Sequence, residues 1–309
     1  MASKVYIIVL NWNQYKLTAD CIRSLLKVDY PNYRVLVVDN GSQDDTVSKL
    51  GSEFVDKIDL ITNDKNLGFS GGNNVGIRFA LAQGANYVML LNNDTVANDP
   101  LFVRKLVDIA ENDRHIGMAS PSIFYFDDPE RVWYAGSALD LWKGWRHYYL
   151  VPGDKMAIET GYASGCCVLI SAQMIQEIGT LNESYFLTVE DVEWSLRAKH
   201  AGWRVVYVPD ACLLHKDSIS SKAHKGKGVY SPLRVYHEYR NTIWLIREYG
   251  NLYQKWLIWP ILFGSKLIYQ SLGYIIFRRW LKLKALLLAL KDGLLAPSSN
   301  FKHHKGRIL

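Results

Sequence analysis

The sequence contains no Cys-x-x-Cys pair. Its four cysteines, two of them adjacent at Cys166 and Cys167, show none of the spacings of a zinc site. They read as reduced thiols of a reducing compartment rather than as a disulfide framework. No G-x-G-x-x-G follows a strand and no G-x-x-x-x-G-K-[ST] is present, so the common dinucleotide and P-loop phosphate sites are not indicated. There is no internal repeat, and 22 glycines with 9 prolines in 309 residues are too few for a collagenous or low-complexity chain. The first apolar run, VYIIVL at 5–10, is only six residues long before Asn11. A secretory signal needs a longer apolar core, so the expected location is cytoplasmic.

What is present is ordinary globular usage, 49% hydrophobic and 21% charged, with an uneven charge. The formal net charge is +6, yet residues 1–215 carry 19 basic against 26 acidic side chains and residues 216–309 carry 17 against 4. An acidic body is joined to a basic C-terminal third, and such asymmetry points one end toward an anionic surface.

Strand-like and helix-like segments alternate. Residues 5–10, 34–39 and 87–92 are short apolar runs of the kind buried on both faces, with a weaker strand at 60–62. Helical spacing follows at 17–26 and 75–83, with Asp44, Asp45 and Thr46 as caps of a helix between them, and later at 190–201 and 232–249, the last opened by Pro232. Residues 166–171 and 204–208 read as further strands, the latter stopped by Pro209. Residues 113–165 show no clear pattern, and 216–231 read as a mobile basic loop. The pattern predicts an α/β fold: a mostly parallel central sheet flanked by helices.

Ligands bind beyond the carboxyl ends of strands in such sheets, and polar residues collect there. Asp39 ends the second strand in VVDNGSQDDT. The segment NLGFSGGNNVG at 66–76 brings Gly68, Asn73 and Asn74 to what reads as the start of a helix, where phosphate is favoured. In LLNNDT, Asn92 and Asp94 are two apart, a spacing that can hold a hard divalent cation. Glu190 and Asp191 open a helix, and adjacent helical residues point about 100° apart, so only one of them can face a given acceptor. His215 follows another apolar strand and is a candidate metal ligand.

Taken in order, IVLNWN, VVDNGSQDDT, NLGFSGGNNVG, LLNNDT, YASGCCVLIS and EDVEWSLRAKHAGWRVVYVP ending at HKDS resemble the nucleotide-sugar glycosyltransferases of family 2, with the A-type glycosyltransferase fold. The likeness is strongest to the rhamnosyltransferase-like enzymes of surface-polysaccharide assembly. It covers residues 4–250, including YHEYRNTIWLIREYG. The resemblance implies Asn11 and Asp39 on the nucleoside, and Gly68, Asn73 and Asn74 along the donor. It implies Asp94 on Mg²⁺ or Mn²⁺ with Asn92 beside it, and His215 as a further metal ligand or a diphosphate contact. Gly165 would border the acceptor, and Asp191 of the Glu190–Asp191 catalytic pair would be the general base. Where the family has Asp-x-Asp, this chain has Asn92-Asn93-Asp94, and an amide oxygen is the weaker, neutral ligand. The expected partners are a nucleotide-sugar donor and a glycan or lipid-linked acceptor.

The domain reading is a catalytic body over 1–250, with a donor half to about 100, an acceptor half to about 215 and the loop and helix of 216–250, then a helical tail over 251–309. In the tail, residues 256–277 are apolar but broken by Pro260, Gly264 and Lys266, and Arg278, Arg279, Lys282 and Lys284 follow. Such a segment suits a helix or helical hairpin lying at an anionic membrane surface better than a span. Interleaved leucines and lysines (LKLKALLLALK) argue against a nucleic-acid partner. Two rivals remain at this level: a nucleotidyltransferase, disfavoured because no Gly-rich basic loop follows the first strand, and a non-catalytic membrane adaptor.

Overall fold

Four parallel strands form one half of the sheet. In the computed structural model, which describes residues 1–138, 156–216, 230–255 and 264–296, β1 (Val5–Asn11), β2 (Tyr33–Asp39), β3 (Ile58–Thr62) and β4 (Tyr87–Asn92) lie in the order β3-β2-β1-β4. Three helices connect them: α1 (Tyr15–Leu25), α2 (Thr46–Glu53) and α3 (Gly68–Ala82). Side chains alternate across the pleat. Val5, Ile7 and Val9 join one core with α1, while Tyr6 and Ile8 join the other with α3. Both faces are therefore covered, which is why these strands read as unbroken apolar runs.

The second half is different. β5 (Thr95–Val96), α4 (Phe102–Asn112), β6 (Ile116–Tyr125), β7 (Asp128–Tyr134), β8 (Ile158–Glu159), β9 (Cys167–Ser171), α5 (Ala172–Ile178), α6 (Glu190–His200) and β10 (Arg204–His215) follow. The sheet continues β4-β9-β6-β10-β5, with β7 on β6 and β8 on β10. β9 is antiparallel to both β4 and β6, and β5 is antiparallel to β10. The sheet is thus mixed: its first half is wholly parallel, as expected, and its second half keeps one long parallel ladder, β6 with β10, among short antiparallel ones.

Three local expectations are corrected. The glycine-rich segment is not a loop ahead of a helix at 75; it is itself the first two turns of α3. Residues 116–125 form a long strand although Gly117, Pro121 and two serines hide its pattern. Pro209 does not stop the last strand: β10 runs on to His215, and the register on β6 jumps from Val208 to Cys212. The missing N–H of Pro209 falls where the ladder is already interrupted.

The C-terminal helices are α7 (Pro232–Tyr249), α8 (Gly264–Ile276) and α9 (Trp280–Leu295). Ser231 caps α7 by accepting the Arg234 N–H at 3.2 Å. One face of α7 (Trp244, Leu245) joins the body, and another (Val235, Tyr239, Ile243) packs on Ala285, Leu286 and Ala289 of α9. The Tyr236 hydroxyl donates to Asp292 at 2.7 Å, and Arg247 donates to the Gly293 and Ala296 carbonyls at 2.6 and 3.0 Å. Between α8 and α9 the chain turns at Arg278, whose φ is +51°. No helix among the described residues is long and apolar enough to cross a membrane. The expected basic loop falls largely outside the described residues, as do much of the aromatic-rich stretch and 256–263.

Candidate active site

Strand register places the donor candidates side by side. Asn11 pairs with Asp39, and Leu10 with Asn92, so three polar strand ends share one edge. The Asn11 amide donates to Asp39 Oδ1 at 2.7 Å, and its carbonyl oxygen accepts from Thr18 Oγ1 at 2.6 Å. Asp39 also accepts the Ser42 N–H at 2.9 Å and the Ser42 hydroxyl. Asn93 donates to Thr18 Oγ1 at 3.0 Å, which draws the strand-four turn into the same network. Asn11 and Asp39 are buried. Thr18 and Ser42 were not singled out from sequence; an isolated hydroxyl on a helix or in a turn gives no signal.

The α3 residues divide. Gly68 has φ +76°, and a Cβ there would stand 2.5 Å from the Phe186 ring and carbonyl. At Gly72 it would stand 2.5 Å from Leu10. Close approach of protein to protein thus accounts for both glycines. Asn74 donates to the Leu181 carbonyl at 2.9 Å and to Glu183 at 3.0 Å, and accepts the Leu181 N–H at 3.1 Å. Its amide is engaged in joining α3 to the segment before α6. Asn73 donates to the Phe69 carbonyl within its own helix at 3.0 Å. Residues 68–72 also spell G-x-S-x-G, but Ser70 is buried within the helix and its hydroxyl has no hydrogen-bond partner. That is not the exposed strand-to-helix elbow of a serine nucleophile.

At the end of β4, Asp94 Oδ1 lies 3.0 Å from His215 Nε2. The pairing of β5 with β10, His215 opposite Thr95, brings these residues together across 121 positions. Burial alone would lower the His215 pKa; the Cys166 sulfur and the Asp94 carboxylate outweigh it and push it up to about 11. Trp133 packs edge-on against the imidazole with centroids 4.5 Å apart. Buried Nδ1 of His215 has no hydrogen-bond partner.

The Glu-Asp pair sits at the start of α6. Asp191 accepts the Gly165 N–H at 2.9 Å and the Val192 N–H at 2.8 Å, two donors that favour its ionised form. Glu190 is buried, its Oε2 without a partner, and burial followed by the Asp191 charge pushes its carboxyl well above the ordinary range. Burial and the Asp191 charge thus favour the protonated form of Glu190, beside a carboxylate that accepts two backbone N–H groups. Glu193, on a similar helix face, is fully buried and accepts from Arg197 at 3.0 Å and from the Tyr249 hydroxyl at 2.9 Å. Its role is to tie α6 to its own next turn and to α7.

Gly165 and Cys166 link the two clusters. Gly165 donates to Asp191, while the next residue's carbonyl accepts the Asn92 N–H at 2.9 Å and its thiol lies beside His215. Consecutive Cα atoms are about 3.8 Å apart. The carboxylate at the start of α6 and the Asp94–His215 pair thus flank one short segment.

Residues 6–179, more than half of the chain, match the Glycosyl transferase family 2 model. The chain belongs to that family. It is 26% identical over 253 residues to the dTDP-rhamnosyl transferase RfbF of Shigella flexneri, covering 80% of this chain and 81% of that one. It is 27% identical over 252 residues to the N-acetylglucosaminyl-diphospho-decaprenol L-rhamnosyltransferase of Mycobacterium tuberculosis, covering 74% and 79%. Among solved structures, the mannosyltransferase PcManGT from Pyrobaculum calidifontis in complex with GDP-Man and Mn²⁺ superposes with a TM-score of 0.61 at 15% identity, over 96% of this chain and 88% of that one. At that identity the likeness shows the fold, which is of the A-type glycosyltransferase class. This family 2 glycosyltransferase therefore has relatives that act in rhamnosyl transfer.

Proposed function

We propose that this glycosyltransferase moves a sugar from a nucleotide-diphosphate sugar to an acceptor hydroxyl with inversion at the anomeric carbon. The observation that carries the reading is the Gly165–Cys166 segment, with the Asp191 carboxylate bonded to the Gly165 N–H on one side and the Asp94–His215 pair on the other. Asp191 is the general base: it takes the acceptor proton as the hydroxyl attacks opposite the nucleotide. Such assistance is worth about 10²–10⁴-fold. Glu190, buried and with its carboxyl pushed up, leaves that role to its neighbour. Asn11 and Asp39, at the adjoining strand ends, form the side that meets the nucleoside, and Gly165 borders the acceptor.

Asp94 and His215 suit a divalent cation, Mg²⁺ or Mn²⁺. They offer a carboxylate oxygen and a ring nitrogen 3.0 Å apart, the nitrogen being a ligand only in the deprotonated ring, so binding of the cation would release the proton that Asp94 and Cys166 hold on His215. Among the described residues no group of three or more His, Cys, Asp or Glu could hold a metal, so the ion fits as one shared with the donor diphosphate. When bound, it supplies charge neutralisation to the leaving diphosphate. Asn92, as an amide, contributes less to holding it than an Asp would.

The acceptor is a lipid-linked or surface-polysaccharide glycan, met at the inner, anionic face of the cell membrane. On α8, the turn after it and α9, Ile268, Tyr269, Leu272, Ile276, Phe277 and Leu281 are exposed, next to Arg278, Arg279 and Lys282. An exposed apolar face edged with cations suits lipid headgroups. The test pairs a panel of dTDP-rhamnose, UDP-N-acetylglucosamine and GDP-mannose, each with Mn²⁺ and an N-acetylglucosaminyl-diphospho-prenol acceptor, with sedimentation on anionic liposomes. Transfer from one donor and salt-sensitive liposome binding are expected. No donor turnover across the panel would favour the adaptor, and no liposome binding would remove the membrane role.

A further inference from the structure

Three residues just before α6 hold left-handed backbone without being glycine. Phe186, Thr188 and Val189 have φ of +35°, +65° and +69°. Two of them are β-branched, and for such side chains this region is strained. Something outside the turn must hold it, because no local preference does.

The structure assigns that task to Asn241 on α7. Its side chain is fully buried, and its amide donates toward the Tyr185, Leu187 and Thr188 carbonyls at 2.9, 2.9 and 2.8 Å. Two N–H bonds are thus shared among three consecutive-turn acceptors. The amide orientation is fixed from behind. Arg240 donates to Asn241 Oδ1 from Nε at 3.0 Å and from Nη2 at 2.8 Å, and also to the Ser184 carbonyl. The Arg240 guanidinium lies 4.1 Å over the Trp244 ring, which limits its own freedom.

The turn has two consequences for the site. Val189 is the residue before α6, and its side chain makes no capping bond, so its left-handed φ sets the direction in which the first turn of α6 leaves. Asp191 is in that turn, aimed at the Gly165 N–H. At the other end, the Phe186 carbonyl accepts the Phe69 N–H at 2.6 Å, the Phe186 ring abuts Gly68, and the ring stacks on His237 at 5.1 Å. Asn241 is therefore a positioning residue for Asp191: it touches no reacting atom and acts by keeping the turn left-handed. The inference rests on the reading of Asp191 as base. A displacement of about 1 Å in such a group costs on the order of 10²-fold in rate.

The test uses the full chain in four variants: Asn241→Ala, Asn241→Asp, Arg240→Lys and Asp191→Asn. Asn241→Asp keeps the acceptor for Arg240 but presents oxygen to the three carbonyls. Without ligand, hydrogen exchange at Gly165 and across 186–192 should quicken at least about tenfold in both Asn241 variants, while β1, β2 and β4 stay protected. With dTDP-rhamnose, Mn²⁺ and the prenol acceptor, kcat should fall about 100-fold with donor KM within about twofold. The acidic limb of the kcat profile should move to higher pH, because Asp191 loses the Gly165 N–H that favours its charge. Arg240→Lys leaves the amide in place and should give an intermediate loss, which keeps the test decisive if Asn241→Ala does not fold. Unchanged exchange at Gly165, or a kcat loss matched by the unfolded fraction with an unmoved acidic limb, overturns the inference. If Asp191→Asn stays active, the base assignment fails instead. If it is inactive and the Asn241 variants match wild type, the positioning role alone fails.

Discussion

The donor edge and the acceptor side of this site are built on opposite plans. At the donor edge, Asn11, Asp39, Thr18 and Ser42 bond one another across paired strand ends. On the acceptor side, the chain ahead of Asp191 is strained, and Thr188 Oγ1 and Glu190 Oε2 are buried without partners. A self-satisfied network is rigid before any ligand arrives, since each member already fixes the next. A strained turn with unspent polar atoms holds its shape only through the helix behind it. On the proposed reading, the first plan suits the nucleoside side of the donor, and the second places the strain beside the proposed base.

The largest effect that would sharpen this contrast comes from Asp191→Asn. Transfer should fall by about 10²–10⁴-fold, while nucleotide affinity, measured by calorimetry, stays within a few-fold. Near-wild-type turnover would remove Asp191 from the base role. Next, Asp94→Ala should weaken Mn²⁺-dependent donor binding by about 10- to 100-fold, the loss of one charged contact of roughly 1.5–3 kcal/mol. An unchanged donor Kd in the presence of metal would count against it. Third, Asp39→Ala breaks the donor edge itself. It strands the Asn11 amide and the Ser42 N–H, each at a cost of about 1–3 kcal/mol. A lower Tm together with weaker donor binding is expected; a full loss of donor binding with an unchanged Tm would mean that the network is not what holds the edge.

The smallest effect is Glu190→Gln. The folded pKa of Glu190 is raised, so it binds more protons folded than unfolded over the window above its ordinary value of 4.5. Its contribution to stability is complete below that value and is lost as pH rises through the raised folded value. Glutamine cannot ionise, so the variant should show a flatter stability curve on that alkaline side, with turnover reduced less than in Asp191→Asn. Denaturant melts at pH 5, 7 and 9 check this. An identical pH dependence in wild type and variant would show that Glu190 is ionised throughout.

Legibility followed the same division. β1, β2 and β4 were readable because both of their faces are buried and their runs are uniformly apolar, and α6 and α7 because each opens on a clear N-terminal signal. β6 was not, since Gly117 and Pro121 interrupt its pattern while neighbours on both sides still supply its ladder. The start of α3 was misplaced because glycines signal loops in sequence, whereas Gly68 and Gly72 here admit Phe186 and Leu10. Asn241 carried no signal: nothing in YHEYRNTIW says that its amide is buried or which carbonyls it meets.

By itself the sequence determined the α/β plan, the strand ends on which Asp39 and Asn92 fall, and the family. These depend on local periodicity and short motifs, which are written along the chain. Only the tertiary structure decided that β9 enters antiparallel, that Asp94 meets His215 across 121 positions, and that Gly165 joins that pair to Asp191. Those contacts come from register between distant strands, and register is set by how whole faces pack rather than by any residue's own preference.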